Sequence, residues 1–217
     1  MMRVINLILI IPAFLITLFS VEIFNFLIDL GLSWRWSKWL NYIILWSLPI
    51  FFIVQIRRAQ VKHLSKVFPV SLFVLSTTLA AFQFYMDPLY DGDISSASEE
   101  LMIEAKSDFS DGLLMISIPG CPYCFAATET LLKLKQRRPN LEIKQVVLTR
   151  NDQDLSSYKE IAKDNYDVVK TEDVDFYGQI TNSYPTFVLV KDGVLLKKWS
   201  NSGFGVVAKD EIEASVN

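Results

Sequence analysis

Cys121 and Cys124 are the two cysteines of a 217-residue chain, and they stand as Cys121-Pro122-Tyr123-Cys124 between a strand-like apolar run and a helix-like one. A pair so placed can close into a disulfide and reopen, provided one sulfur is exposed and its thiolate is favoured. A strand-to-helix junction offers both. The free N–H groups and positive dipole end of a helix bring a thiol from a pKa of about 8.5 into the range of roughly 3.5 to 7.5. Other readings of the pair remain open on the residues alone. A structural staple across four residues is worth only about 2 kcal/mol in the chain-entropy picture, against nearly 5 for a long loop. A zinc site needs about four ligands, and the lone His63 stands far away beside Lys62 and Lys66. Two inert buried thiols fit poorly with a proline at a helix start.

The segments around the pair read as one small α/β domain. Leu113 to Ile118 is a short apolar run ending at Pro119-Gly120, consistent with a buried strand. Phe125, Ala126, Leu131, Leu132 and Leu134 then recur near helical spacing until Pro139 stops the helix. Ile143 to Leu148 reads as a second strand, making a parallel βαβ unit. Leu155 to Ala162 reads as a helix, Val168-Val169 as a short strand and Val174 to Ile180 as a further helix. Thr186 to Val190 and Val194 to Trp199 form a hairpin turned at Asp192-Gly193, and a helix over about Val206 to Ala214 follows. Parallel strands first, an antiparallel hairpin last and helices on both faces are expected.

The preceding residues have another character. Residues 1–86 hold seven of the 21 basic residues but only Glu22 and Asp29 among the 24 acidic ones, so the remainder of the chain is strongly acidic. Three stretches, Val4 to about Val21, Trp39 to Ile56 and Val67 to about Tyr85, carry no charge. Each approaches the ~20 residues that cross a hydrocarbon core. The expectation is a membrane region over 1–86 with three transmembrane helices, at about 4–26, 39–56 and 67–85, followed by a linker and leading helix over 87–107 and the α/β domain over 108–217. Pro12, Pro49 and Pro69 are tolerable within such spans. The first stretch could be a cleaved signal peptide, but it runs on through Phe24, Phe26, Leu27 and Leu30 without a small-residue cleavage site, which favours a retained anchor.

Arg57, Arg58, Lys62 and Lys66 crowd the second loop, whereas the segment after the third span has no basic residue until Lys106. Excess Lys and Arg mark the cytoplasmic side, so the amino terminus is expected inside and the α/β domain outside the cytoplasmic membrane. Trp34, Trp36 and Trp39 read as interfacial anchors. Glu22, Asn25 and Asp29 share one helical face, read as a solvated helix extension or as a docking face for a membrane partner. Nucleic-acid binding is disfavoured by the acidic second half; Lys133, Lys135, Arg137 and Arg138 read as cations at a helix end.

The element order, with Cys121-Pro122-Tyr123-Cys124 at the first helix and Tyr184-Pro185-Thr186-Phe187 opening the hairpin, resembles the thioredoxin-like superfamily over residues 108–214. Residues Leu141 to Ser183 look like the strand-and-helix insertion of membrane-anchored TlpA-like proteins. Cys-Pro-Tyr-Cys also looks like the glutaredoxin motif; the insertion and the expected outside location favour the TlpA-like reading. The resemblance implies a thiol-disulfide oxidoreductase acting on extracytoplasmic protein thiols or disulfides. Cys121 would be the nucleophile and Cys124 the resolving cysteine. Pro122, Tyr123, Tyr184 and a cis Pro185 would shape the substrate groove, with no metal or organic cofactor. Two positions depart from the common thioredoxin pattern: Gly120 replaces the usual tryptophan before the first cysteine, and Met115 stands where thioredoxins keep a buried acid.

The expected spans contain no cysteine, so electrons must be exchanged with a separate membrane donor or acceptor. The direction is not fixed, because each ~30 mV shifts a two-electron equilibrium about tenfold. The competing expectation is a non-enzymatic, membrane-tethered binding or assembly factor, including metal delivery. Copper chaperones of this fold usually add a histidine and wider cysteine spacing, and peroxiredoxins a threonine three residues before the reactive cysteine; neither pattern stands here.

Overall fold

The computed structural model describes residues 15, 17–58, 67–86, 88–104, 109 and 111–215. The chain divides into two compact units, Met1–Leu89 and Tyr90–Asn217.

The first unit contains α1 (Ser20–Asp29), α2 (Trp34–Arg58) and α3 (Val67–Met86). Gly31, at φ 89°, ends α1 because it adopts the left-handed conformation without a Cβ penalty. The amides of Leu32 and Gly31 then turn back onto the carbonyls of Leu27 and Ile28, at 3.1 and 2.9 Å. These are the two bonds of a Schellman stop. Ser33 starts the next helix by accepting the Trp36 amide at 3.2 Å. Asn41 on α2 donates to the Ser20 carbonyl of α1 at 3.1 Å. The three tryptophans do not act alike: Trp34 is turned inward against Phe24 and is 2% exposed, while Trp36 is 61% exposed. Trp34 is therefore a core residue of this unit rather than an interfacial anchor. The helices α2 and α3 have 25 and 20 residues. Counted over the described residues, no helix is long and apolar enough to cross a membrane. Most of the first apolar stretch lies outside the described residues, and the three-span expectation rests on the sequence alone.

The second unit opens with a short helix, α4 (Asp91–Ile94), and a strand, β1 (Glu99–Glu104). It continues with β2 (Gly112–Ser117), α5 (Pro122–Arg137), β3 (Ile143–Leu148), α6 (Gln153–Ala162), β4 (Asp167–Thr171) and α7 (Val174–Ile180). The hairpin β5 (Thr186–Lys191) and β6 (Val194–Ser200) leads to α8 (Val206–Ser215). The six strands form one sheet in the order β1-β6-β5-β2-β3-β4. Strands β2, β3 and β4 are parallel, and the remaining pairings are antiparallel. Asp192 and Gly193, at φ 52° and 72°, make the tight turn whose twist matches a hairpin. With α5 following β2, this is a mixed α/β thioredoxin-like fold.

Strand β1 occupies part of the segment expected to be a linker. Its alternation is real but muted: Leu101 and Ile103 pack against the core, Met102 is exposed, and Glu99, Glu100 and Glu104 lie on the outer rim. Opposite Glu99 and Glu100, β6 supplies Lys198 and Lys197, and Lys198 meets Glu99 at 2.9 Å. The antiparallel pairing with β6 and the packing of Leu101 and Ile103, with one cross-strand ion pair added, hold a strand whose acids read as linker in isolation.

The central strand β2 is covered on both faces, which is why it reads as an unbroken apolar run. On one face Leu114 and Ile116 pack with Val146, Val188 and the α7 residues Phe176 and Ile180. On the other, Leu113, Met115 and Ser117 point toward α5 by alternation, and Leu131 and Leu134 of α5 are fully buried.

The buried carboxylate of Asp93 ties α4 to the far end of the chain. It accepts the Tyr90 amide at 3.2 Å and the Val206 amide at 3.0 Å, satisfying a donor at the start of α8. Gly92 and Gly205 sit so close that a Cβ on either would run into the backbone of the other. Asp93→Ala is expected to lower stability by about 1 to 2 kcal/mol, as removal of a helix-capping oxygen does. Asp93→Asn should recover only part of that loss in urea unfolding, since its single amide oxygen can keep one of the two amide bonds.

Candidate active site

Strand β2 ends at Ser117, and Ile118-Pro119-Gly120 turns the chain into α5. Gly120 takes φ 68° with nothing within 4 Å of where a Cβ would stand, so the turn is open to solvent on that side. Cys121 is the N-cap of α5, in extended conformation at φ −84° and ψ 110°, with Pro122 following in the first turn. Its sulfur accepts the Cys124 amide at 3.1 Å, where a serine or aspartate oxygen would sit in an ordinary capped helix. The Cys121 carbonyl accepts from Cys124 and Phe125 at 3.0 and 3.2 Å. Sulfur at this position faces the positive end of the helix dipole.

Cys121 and Cys124 are joined in a disulfide with their Cα atoms 5.2 Å apart. The two sulfurs are not equivalent. Cys121 is half-buried at the helix tip, and Cys124 is fully buried. Pro122 and Tyr123 are exposed beside them, Tyr123 at 66%. The register Ile116↔Thr186 sets the end of β2 beside the start of β5. It brings the cysteine turn and Pro185 to the same end of the sheet. The Tyr184–Pro185 bond is cis, Pro185 is buried, and the half-buried Tyr184 packs against the core cluster. A cleft of about 170 Å³ opens beside Tyr123, with Ala126 and Thr130 of α5 on one wall and Phe204 and Lys209 on the other.

Among solved structures, the chain is similar to a secreted Mycobacterium tuberculosis disulfide oxidoreductase homologous to E. coli DsbE. The identity is 17%, with 49% of this chain and 80% of that one covered, at a TM-score of 0.40. It is also similar to the thioredoxin domain of a thiol-disulfide oxidoreductase from Bacteroides vulgatus (19% identity, 56% and 95% covered, TM-score 0.40). A third is apo Sco1 protein from Thermus thermophilus (12% identity, 54% and 92% covered, TM-score 0.37). No protein-family model matches the chain, and no curated protein matches it. The thioredoxin-like fold rests on the chain's own strand order and on the place of its cysteines in that order.

Two buried polar groups reach the pair from elsewhere in the fold. The first is Tyr158 of α6, which is fully buried. Its hydroxyl donates to the Ile118 carbonyl at 2.8 Å, and its ring stacks on Phe125 with centroids 4.5 Å apart. Burial pushes the phenol pKa up, the backbone amide of Cys121 draws it partly back, and the charge of Asp154 raises it further. Tyr158 is thus a neutral donor at working pH.

The second group is a layer beneath Cys124. The Thr128 hydroxyl donates to the Cys124 carbonyl at 2.8 Å and lies 3.2 Å from the Gln145 side-chain oxygen. Gln145 donates to Ser117 at 3.1 Å, and Tyr166 donates to the Thr128 carbonyl at 3.1 Å. Gln145 stands directly opposite Met115 in the β2–β3 register. Where the resemblance leads one to look for a buried acid, the fold places a neutral amide hydrogen-bonded to Ser117. Neither Tyr158 nor Gln145 stands out in the sequence as a site residue. Tyr158 shares the spacing of Leu155 and Ala162 and reads only as part of a helix's buried face; its partner lies 40 residues away.

Burial raises the pKa of Tyr158, Tyr166 and Tyr177 above the ordinary phenol value of about 10. Above pH 10 the unfolded chain therefore releases phenol protons that the folded chain keeps, and unfolding is favoured. These groups contribute nothing to the pH dependence from 7 to 9. The urea midpoint is expected to fall as pH rises beyond 10, and a flat profile from pH 9 to 11 would contradict this.

Proposed function

We propose that this chain is a membrane-anchored thiol-disulfide oxidoreductase that exchanges disulfides with extracytoplasmic proteins through Cys121 and Cys124. One observation carries the reading: a half-buried sulfur caps a helix, accepts the amide of its partner and is bonded to that fully buried partner. In the reducing direction, the Cys121 thiolate attacks a substrate disulfide. A mixed disulfide forms, and the first substrate sulfur leaves as a thiolate that takes its proton from water. Cys124, as thiolate, then attacks the Cys121 sulfur and expels the second substrate thiolate. Two electrons pass to the substrate, and the chain is left with the Cys121–Cys124 disulfide. The oxidising direction is the reverse.

Pro122, Tyr123 and the cis Pro185 line the approach, and the backbone before Pro185 is offered to an extended substrate segment. The anchor is supported by the three uncharged stretches, and the outside location of the cysteines by the basic loop between the second and third. A separate membrane carrier reloads the pair, because no cysteine stands outside it.

The test uses the full-length chain in detergent micelles with insulin or oxidised glutathione as substrate. The wild type should reduce either disulfide and Cys121→Ser should not; an inert wild type sinks the reading. In intact cells, an impermeant maleimide should label reduced Cys121, and protection would overturn the orientation.

A further inference from the structure

The turn between β2 and α5 carries the reacting sulfur, yet little of its own sequence holds it. Gly120 has no side chain, and a Cβ there would meet nothing within 4 Å. Gly120 is exposed, and Ile118 and Pro119 are only half-buried. The turn leaves a strand with one set of hydrogen bonds and enters a helix with another, so Ile118 has a carbonyl that neither element takes up. Tyr158 takes it up, from a helix 40 residues further along the chain, at 2.8 Å. The ring also stacks on Phe125, in the first turn of α5. One side chain thus touches both the residue that leaves the strand and the helix that Cys121 caps.

We infer that Tyr158 is a positioning residue for disulfide exchange: it fixes the Ile118–Cys121 turn so that the Cys121 sulfur stays aligned with the N-terminal amides of α5. This rests on the reading of Cys121 as the nucleophile. Tyr158 does not touch the reacting sulfur; it acts through the backbone that carries it. The alignment matters most in the dithiol state, where the thiolate on Cys121 is held by those amides and the helix dipole. A phenol that secures the alignment therefore favours the reduced form. Its removal should make the pair harder to reduce, as expected when the reduced state loses its stabilisation.

The experiment compares the full-length wild type in micelles with Tyr158→Phe, which keeps the ring and deletes the hydroxyl. Reduced Cys121 in the variant should react with iodoacetamide about three- to tenfold more slowly at pH 7, with the rate profile displaced to higher pH. The equilibrium with glutathione should shift toward the disulfide by a similar factor. Tyr177→Phe, which deletes another buried phenol, should leave both readings unchanged. A stability loss in Tyr158→Phe with unaltered alkylation and equilibrium assigns Tyr158 a structural role only and overturns the inference.

A second measurement does not depend on any variant folding. In the 3-fluorotyrosine-labelled wild-type chain, the Tyr158 fluorine resonance should move on reduction of the disulfide while that of Tyr177 does not. A Tyr158 resonance indifferent to reduction also overturns it. Alkylation is read without turnover, so a wild type that alkylates at Cys121 but exchanges no disulfide defeats the functional reading and leaves the positioning of Cys121 separately decided.

Discussion

Cys124→Ser should hold substrate proteins on Cys121 as mixed disulfides, while steady-state exchange falls roughly 10³-fold or more. The size follows from proximity. A resolving thiol within the same loop acts at an effective concentration that well-oriented intramolecular reactions carry to about 10⁵ M and beyond, whereas external thiols reach only millimolar levels. Without Cys124 the mixed disulfide waits for such an external thiol. Cys121→Ser should behave differently. Its remaining sulfur is fully buried, so no mixed disulfide forms and even a single turnover is lost. Non-reducing gels after acid quenching separate the two outcomes. Equal trapping by both variants would mean that Cys124 is accessible and that the assigned order of attack is wrong.

Arg137→Ala should destabilise the second unit by about 3 kcal/mol, the low end of what is lost when one partner of a buried ion pair is removed. Arg137 grips Glu213 with two nitrogens, Nε to Oε1 at 2.7 Å and Nη2 to Oε2 at 3.1 Å. Glu213 is only 6% exposed. The cost arises from stranding that carboxylate in the interior rather than from loss of the attraction itself. Arg138, 3.7 Å away, offsets part of it. Truncating both partners together to apolar residues, Arg137→Met with Glu213→Leu, should therefore cost less than Arg137→Ala alone. Urea midpoints of the single and double variants decide the matter; an additive loss would show that the pair itself, and not the stranded charge, is what counts. The contact lies at the far end of α5 from the cysteines, so disulfide exchange by the folded fraction should be unaltered.

The elements that could be read from the chain are those whose signals are local. Ile143–Leu148 and Val174–Ile180 are bounded by punctuation of their own, and the hairpin announces itself at Asp192-Gly193. The short Val168-Val169 strand is longer than its apolar pair, since β4 runs from Asp167 to Thr171 and its outer residues are polar at the sheet rim. Strand β1 was hidden because its acids read as linker and its partner strand β6, including the Lys198 that meets Glu99, lies nearly a hundred residues later. The same distance problem governs the site. Cys121 and Cys124 are adjacent in sequence and legible, whereas Tyr158 and Gln145 act through partners 40 and 17 residues away. Arg137 read as a cation favouring a helix end, yet its carboxylate partner is 76 residues downstream. No spacing rule reaches so far. Trp34 shows the converse error, an aromatic flank that looks interfacial but is folded inward.

A sheet can recruit further chains wherever an outer strand leaves its backbone groups unpaired, and the outermost strand on one side here is β1. Glu99, Glu100 and Glu104 make that border anionic, and only Glu99 among them is paired with a lysine of the neighbouring strand. A second copy arriving strand to strand would set like charge against like charge. Copies crowded together are thus discouraged from polymerising through this border.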